Sequence, residues 1–247
     1  MRVYFSAPTP RFGRVNNRLH VGYQQRSPYY WWWAYLRRNE DYLACCEAGG
    51  KGKLAALYAD FGDVRDDDFH KWWTQDNRCI RLFAEQPLTV KFAELASPAE
   101  WQPQWTADDA MVLVVPLRVS KRRLKGIFAK MLDQRHTGTR GRPAVASQVS
   151  SARYQLQHNY TIQSLQTGLS VYDLWLANQQ LGTPDRMTLW ELGVKAGLNK
   201  KAAKDAVSTL SQDRLVGRNV LAATVSRYVK QANAVIANAG LGLFPLY

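Results

Sequence analysis

The chain has 247 residues, 46% hydrophobic and 12% aromatic, and its 33 Lys and Arg against 20 Asp and Glu give a formal charge of +13. That length holds one large or two small domains. No apolar run is long enough to span a bilayer, and no charged start precedes a short apolar core, so a cytoplasmic protein without a membrane segment is expected. Cys45, Cys46 and Cys79 form an odd set with an adjacent pair, which argues for reduced thiols rather than a disulfide framework. Even with His70 nearby they lack the ligand spacing of structural zinc, so neither metal nor cofactor is expected. The positive charge gathers in residues 2–38, 121–142 and 195–230, while 40–109 is on balance acidic. Clustered basic charge is the footprint of a polyanionic partner.

Residues 1–26 are polar and basic and are interrupted by Pro8, Pro10 and Gly13. They predict a flexible basic arm, lying on DNA phosphates or on a partner subunit, or free as a tail. Ser27 and Pro28 then form a helix start, serine as cap and proline in the first turn. The helix that follows carries Tyr29 to Trp33 and Tyr35 and runs to about Glu47. So many rings cover more than one face. Trp31, Trp32 and Tyr35 are candidate residues of an interface with a protein or with bases; the competing reading is that they pack beneath the next helices as core. Further helical pieces are predicted over 54–60 and 67–79, with Phe69, Trp72 and Trp73 as buried anchors. The acidic cluster of Asp60, Asp63, Asp66, Asp67 and Asp68 raises magnesium-dependent chemistry. It crowds a loop and a helix start, where carboxylates offset the helix dipole, and no matching Glu and Lys accompany it. Strands are predicted over 88–92 and 111–117, making 27–119 a small α+β domain.

Ser120 opens a basic amphipathic helix to about Arg135, with Leu124, Ile127, Phe128, Met131 and Leu132 inward and Lys121, Arg122, Lys125 and Lys130 outward. Beyond it, Arg140, Gly141, Arg142 and Pro143 resemble the core of an AT-hook, whose arginines enter a narrow minor groove; a solvent loop is the alternative. Helices are predicted over 150–157 and 162–178, the second with a stripe of Leu165, Leu169, Tyr172 and Leu176.

The segment 187–211 has the spacing of a helix-turn-helix. Leu192, Ala196, Leu198, Ala203 and Ala206 fall at packed positions, Gly197 falls at the turn, and Gly193 is small enough for the second helix to approach. Thr188 and Glu191 have capping-box spacing. Asn199 starts the second helix, which turns Lys200, Lys201, Lys204, Asp205 and Ser208 away from Ala203, Ala206 and Val207. In such a motif that face enters the major groove; otherwise it is a solvated lysine face. A turn or wing is predicted over 215–220 around Gly217, then a last helix over 221–238 with Arg227, Lys230 and Gln231 outward. The expected fold is mainly α, with a small α+β N-terminal domain and a helical domain over 120–247 that contains the helix-turn-helix, winged or not.

Two stretches together carry a family resemblance. Trp33, Ala34, Tyr35, Leu36, Arg37, Arg38, Asn39, Glu40, Asp41 and Tyr42 look like the signature that opens certain proteobacterial transcription regulators of conjugative elements. Residues 189–194, a later basic helix over 225–236 and a glycine-ended tail resemble the variant helix-turn-helix domain that closes them. Similar sequences occur in prophage-like elements. The resemblance implies Arg227 and Lys230 as readers of DNA, whereas the simple spacing names Lys200, Lys201 and Lys204.

The expectation is a sequence-specific, double-stranded DNA-binding transcription regulator of a bacterial mobile element. Its candidate contacts are Asn199, Lys200, Lys201, Lys204, Ser208, Arg122, Arg140, Arg142, Arg227 and Lys230, and its aromatic domain would join a homodimer or another protein. The alternatives are a plasmid or phage replication initiator, and a non-enzymatic subunit of a phage or defence assembly docked through the aromatic helix. No nucleophile, base or metal constellation has the spacing of an enzyme.

Overall fold

A computed structural model describes residues 4–14, 16–85, 97, 113–135, 150–157 and 160–247. The chain is mainly helical. The helices are α1 (Pro28–Leu36), α2 (Glu40–Glu47), α3 (Ala55–Phe61), α4 (Phe69–Thr74), α5 (Arg78–Phe83), α6 (Lys121–Arg135), α7 (Ile162–Gln179), α8 (Leu189–Lys195), α9 (Lys200–Asp205) and α10 (Ser211–Ala239). The strands among the described residues are β1 (Tyr4–Phe5), β2 (Gly13–Arg14), β3 (Asn17–Arg18) and β4 (Ala84–Glu85), each two residues long.

Two compact units are present, Phe5–Ala84 with Ala152–Tyr247, and Met1–Tyr4 with Glu85–Ser151. The larger unit is discontinuous in sequence, so the division expected near Val119 does not describe it. Its centre is α1. Pro28 occupies the first turn behind Ser27, and every residue of α1 except Tyr30 is buried. A helix apolar all round has to be enclosed on all sides. Here one side is closed by Phe61, Phe69, Trp72, Trp73 and Phe83 from α3 to α5, and the other by Leu165 and Leu169 of α7, Val235 and Ile236 of α10, and Phe244. Trp32 stacks on Phe244 with ring centroids 5.3 Å apart, and Trp73 lies nearly parallel to Phe83 at 5.8 Å.

This settles the aromatic run. Trp31, Trp32 and Tyr35, candidates for an interface, are 5%, 0% and 2% exposed and belong to the core. Two of them also tether backbone, Trp31 Nε1 donating to the Gln25 carbonyl and Tyr35 Oη to that of Leu165. The N–H groups of Trp32 and Trp33 find no acceptor among the described residues, a cost carried by the apolar area around them.

The signature residues after α1 clamp this core. Arg38 grips the Asp173 carboxylate of α7 through two nitrogens, at 3.1 and 2.7 Å. Asn39 accepts from the Tyr42 N–H to cap α2, and donates to the Ile236 carbonyl of α10 at 2.9 Å. Arg37 lies over the Trp33 ring and pairs with Asp67.

Other expectations are corrected. The expected arm is tethered at two points within the larger unit, Phe5 packing against Tyr29 and Trp73 and Phe12 against Phe69 and His70, while Arg14 and Asn16 to Arg18 stay exposed. The helix expected over 67–79 breaks at Asp76 and Asn77, both at positive φ, and Arg78, buried beyond the break, donates to the Trp72 carbonyl at the end of α4. The acidic cluster is spent on structure. Asp63 pairs with Arg65 and Asp66 with Lys71, while Asp68 caps α4 and Asp60 holds Arg153 and Tyr154. Cys45 and Cys46 are buried, and burial pushes the Cys46 and Cys79 thiols up.

In the smaller unit, the strand expected over 88–92 lies outside the described residues. Residues 113–117 form no strand, and Val114 and Leu117 are 96% and 90% exposed. Helix α6 forms as expected, but Leu124, Phe128, Met131 and Leu132 are only half-buried and Ile127 is exposed.

Replacing Trp32 by Ala should empty the centre of the larger unit and cost about 3–5 kcal/mol, a large part of the ~5–15 kcal/mol typical of a folded domain. Urea unfolding followed by tryptophan fluorescence measures it; a loss below about 1 kcal/mol would move the centre of the core away from α1.

Candidate nucleic-acid interface

The basic face predicted over 187–211 rests on a second, smaller core of Val171, Leu192, Leu198, Ala202, Ala206, Leu221 and Val225. Its approach is fixed at the end of α7. The buried Asn178 side chain donates to the Met187 carbonyl at 2.9 Å and accepts the Met187 N–H at 2.8 Å, pinning the residue before the cap of α8. At that cap, Glu191 reaches back and accepts from both the N–H and the hydroxyl of Thr188, each at 2.7 Å. These bonds hold the Glu191 carboxyl below the usual range. Leu192 and Gly193 are the buried residues of α8. The open side of Gly193 faces Leu221 and Val225 of α10 rather than the next helix.

The turn runs through Gly197 at φ +67°, with the Leu198 N–H bonded to the Gly193 carbonyl at 3.0 Å. Asn199, itself left-handed, caps α9 by accepting from the Ala202 N–H at 3.1 Å. Helix α9 is six residues long. Ala202 and Ala206 are buried against α10, while Lys200, Lys201 and Lys204 project outward, in no ion pair with a described residue. Two of these lysines occupy the first turn, where the helix dipole disfavours cations by a few tenths of a kcal/mol. That repulsion falls when an anion approaches.

Glycine at 217 makes this face possible. The expected wing over 215–220 is absent, because α10 is helical throughout this stretch and buries Gly217 against α9. A Cβ on Gly217 would lie 2.5 Å from the Ala206 nitrogen and 2.7 Å from the Ala202 carbonyl oxygen. Next to it in the helix, Arg218 donates to the Ala206 carbonyl at 3.2 Å and lies 4.3 Å above the Trp190 ring of α8. Sequence reasoning missed Arg218 and Trp190, since neither periodicity nor capping rules signal a clamp between two helices and a third.

The other described candidates lie on different elements. Ser208 is half-buried beyond the end of α9, and its hydroxyl accepts from the Leu210 N–H. Val207, expected inward, is 68% exposed. Arg227 is exposed on α10 and Lys230 follows it one turn on, where Lys230 edges a shallow groove of about 380 Å³ with Trp175, Leu189 and Val229. At 1.5 Å rise and 100° per residue, Lys230 lies about 20 Å along α10 from Gly217 and about 140° around it. Lys230 therefore sits on another part of α10 from the one that α9 crosses. Arg122 is exposed on α6 in the smaller unit, and Arg140 and Arg142 lie outside the described residues.

Among the described residues, no helix is long and apolar enough to cross a membrane, and no group of three His, Cys, Asp or Glu side chains is placed to hold a metal ion.

Gly217→Ala should force α9 away from α10 at a cost of about 1–3 kcal/mol. Amide exchange should speed up in α8 and α9 and stay slow in α1; unchanged exchange in α9 would show that the crossing tolerates a methyl group.

Comparison with protein-family models, with curated proteins and with solved structures finds no match to this chain.

Proposed function

We propose that the chain is a sequence-specific double-stranded DNA-binding protein, a transcription regulator of a bacterial mobile element, in which α8 and α9 act as a helix-turn-helix. The observation that carries this reading is the division of α9 into two faces. Ala202 and Ala206 are buried against Gly217, leaving Lys200, Lys201 and Lys204 together on the free side. A short helix held that rigidly by a longer one can enter a major groove without rearranging. Lysines are suited to its phosphate walls and the Asn199 end of the helix to its base edges. The chain's charge of +13 supplies long-range attraction to a polyanion. The link to a mobile element rests on the resemblance of the Trp33 to Tyr42 run. Burial of Trp31, Trp32 and Tyr35 in the core favours this reading over docking of an assembly subunit through those rings.

Replacing Lys200, Lys201 and Lys204 together by Ala tests the reading. All three project from the free side of α9, so the melting temperature should hold while affinity for duplex DNA falls. The slope of log K against log salt should become shallower by about 2–3, near 0.9 for each phosphate that the protein no longer neutralises. Fluorescence anisotropy across a salt series measures it, and an unchanged slope would place the DNA contact elsewhere.

A further inference from the structure

The described part of residues 4–26 contains a small device that the α9 reading leaves unused. Strands β2 and β3 form an antiparallel hairpin, with Gly13 opposite Arg18 and Arg14 opposite Asn17. The Leu19 N–H extends the ladder to the Phe12 carbonyl at 2.9 Å. Gly13 takes φ +81°, and a Cβ there would come within 2.9 Å of the Leu19 nitrogen, so the ribbon closes tightly only with glycine. The root of the hairpin is apolar: Phe12 packs on Phe69 at 5.9 Å and edge-on to His70 at 4.4 Å, both on α4.

The tip is the reverse. Arg14, Asn16, Asn17 and Arg18 are all exposed, and neither arginine has an ion pair with a described residue. No Asp or Glu occurs before Glu40, while Arg11 and Arg26 add to the positive charge of the same stretch. The acids that precede and cap α4, beside the root, are already engaged, Asp66 by Lys71, Asp67 by Arg37 and Asp68 by the Lys71 N–H. The root packs on the core, but the exposed Arg14, Asn16, Asn17 and Arg18 make no side-chain hydrogen bond or ion pair with a described residue. The tip has the donors and acceptors that read a groove, since arginine pairs with guanine edges or phosphate, and asparagine with adenine.

We propose that the β2–β3 hairpin is a second DNA-reading element, a ribbon whose tip of Arg14, Asn16, Asn17 and Arg18 enters a groove of the duplex that α9 contacts. Two-stranded ribbons fit DNA grooves. The inference rests on the α9 reading for its duplex.

The test uses the full chain and a random-sequence duplex of about 40 base pairs, long enough for both contacts, in anisotropy titrations across a salt series. Arg14→Ala with Arg18→Ala should leave the melting temperature unchanged, weaken binding by about tenfold and make the salt slope shallower by about 2. Arg14→Lys with Arg18→Lys should restore the slope. In selection from a randomised duplex pool it should still lose the base preference of wild type, because lysine keeps the charge without the bidentate fork. If the alanine variant binds as wild type while the α9 lysine variant is weakened, the hairpin inference falls and the α9 reading stands. If the hairpin variant is weakened and the α9 variant is not, the hairpin holds and α9 is not the reader. If neither is weakened, both fall. Restoration of both slope and base preference by lysine would reduce the hairpin to a phosphate clamp and overturn its reading role.

Discussion

Enclosure of α1 is the constraint on which the rest of the structure depends. A helix of Tyr, Trp and Leu side chains with no polar face cannot lie on a surface, so partners must reach it from all sides. The chain meets that demand with segments from both of its ends. Helices α3 to α5 supply rings on one side, and α7, α10 and Phe244 close the other. The stretch around Tyr154 and Gln157 runs between them, the Tyr154 N–H bonding to the Leu82 carbonyl and the Gln157 N–H to that of Phe244. Arg38 and Asn39 hold the exit of α1 to α7 and α10. The family-like run from Trp33 to Tyr42 is therefore spent mostly on architecture.

A stiff centre has value for a surface built at the far end of α10. That helix is 29 residues long; its second half is gripped in the aromatic core and its first half carries α8 and α9. With one end of the rod fixed, the position of the lysine face depends on few soft joints, Gly197 and Asn199 among them. The arginine hairpin is anchored through Phe12 to α4, another wall of the same core. Both basic features thus belong to one compact unit, with distinct supports.

Local rules made much of this legible. Pro28 in the first turn of α1, Asn199 before α9, Thr188 paired with Glu191, and Gly197 in the turn each act within four residues, and each was readable because capping and turn chemistry is local, whereas Ser27, expected to cap α1, makes no side-chain cap bond. What failed was non-local. The domain division near Val119 followed the expected succession of helices and strands, and local patterning says nothing of two distant segments sharing a core. Trp31, Trp32 and Tyr35 were ambiguous because an all-apolar helix gives no sign of what covers it. Gly217 suggested a wing because glycine ordinarily marks a turn, whereas here it marks a helix crossing. The break at Asp76 and Asn77 had no proline or glycine to announce it. The basic arm misled in the same way, for Phe5 and Phe12 are too widely spaced to show a period, yet each finds a ring to pack on.

The discontinuity of the larger unit also bears on how the protein is made. During synthesis, α1 leaves the ribosome with only α3 to α5 to cover it, and the surface later taken by Leu165, Val235 and Phe244 stays open to water. Nearly two hundred residues separate Asn39 from the Ile236 carbonyl that it binds, and contacts so remote in sequence form late and slowly. For the time needed to translate them, a sticky aromatic face is displayed by an unfinished chain. Output in a foreign host should then be governed less by the stability of the finished protein than by how well nascent chains are sheltered, by trigger-type chaperones or by slower growth in the cold.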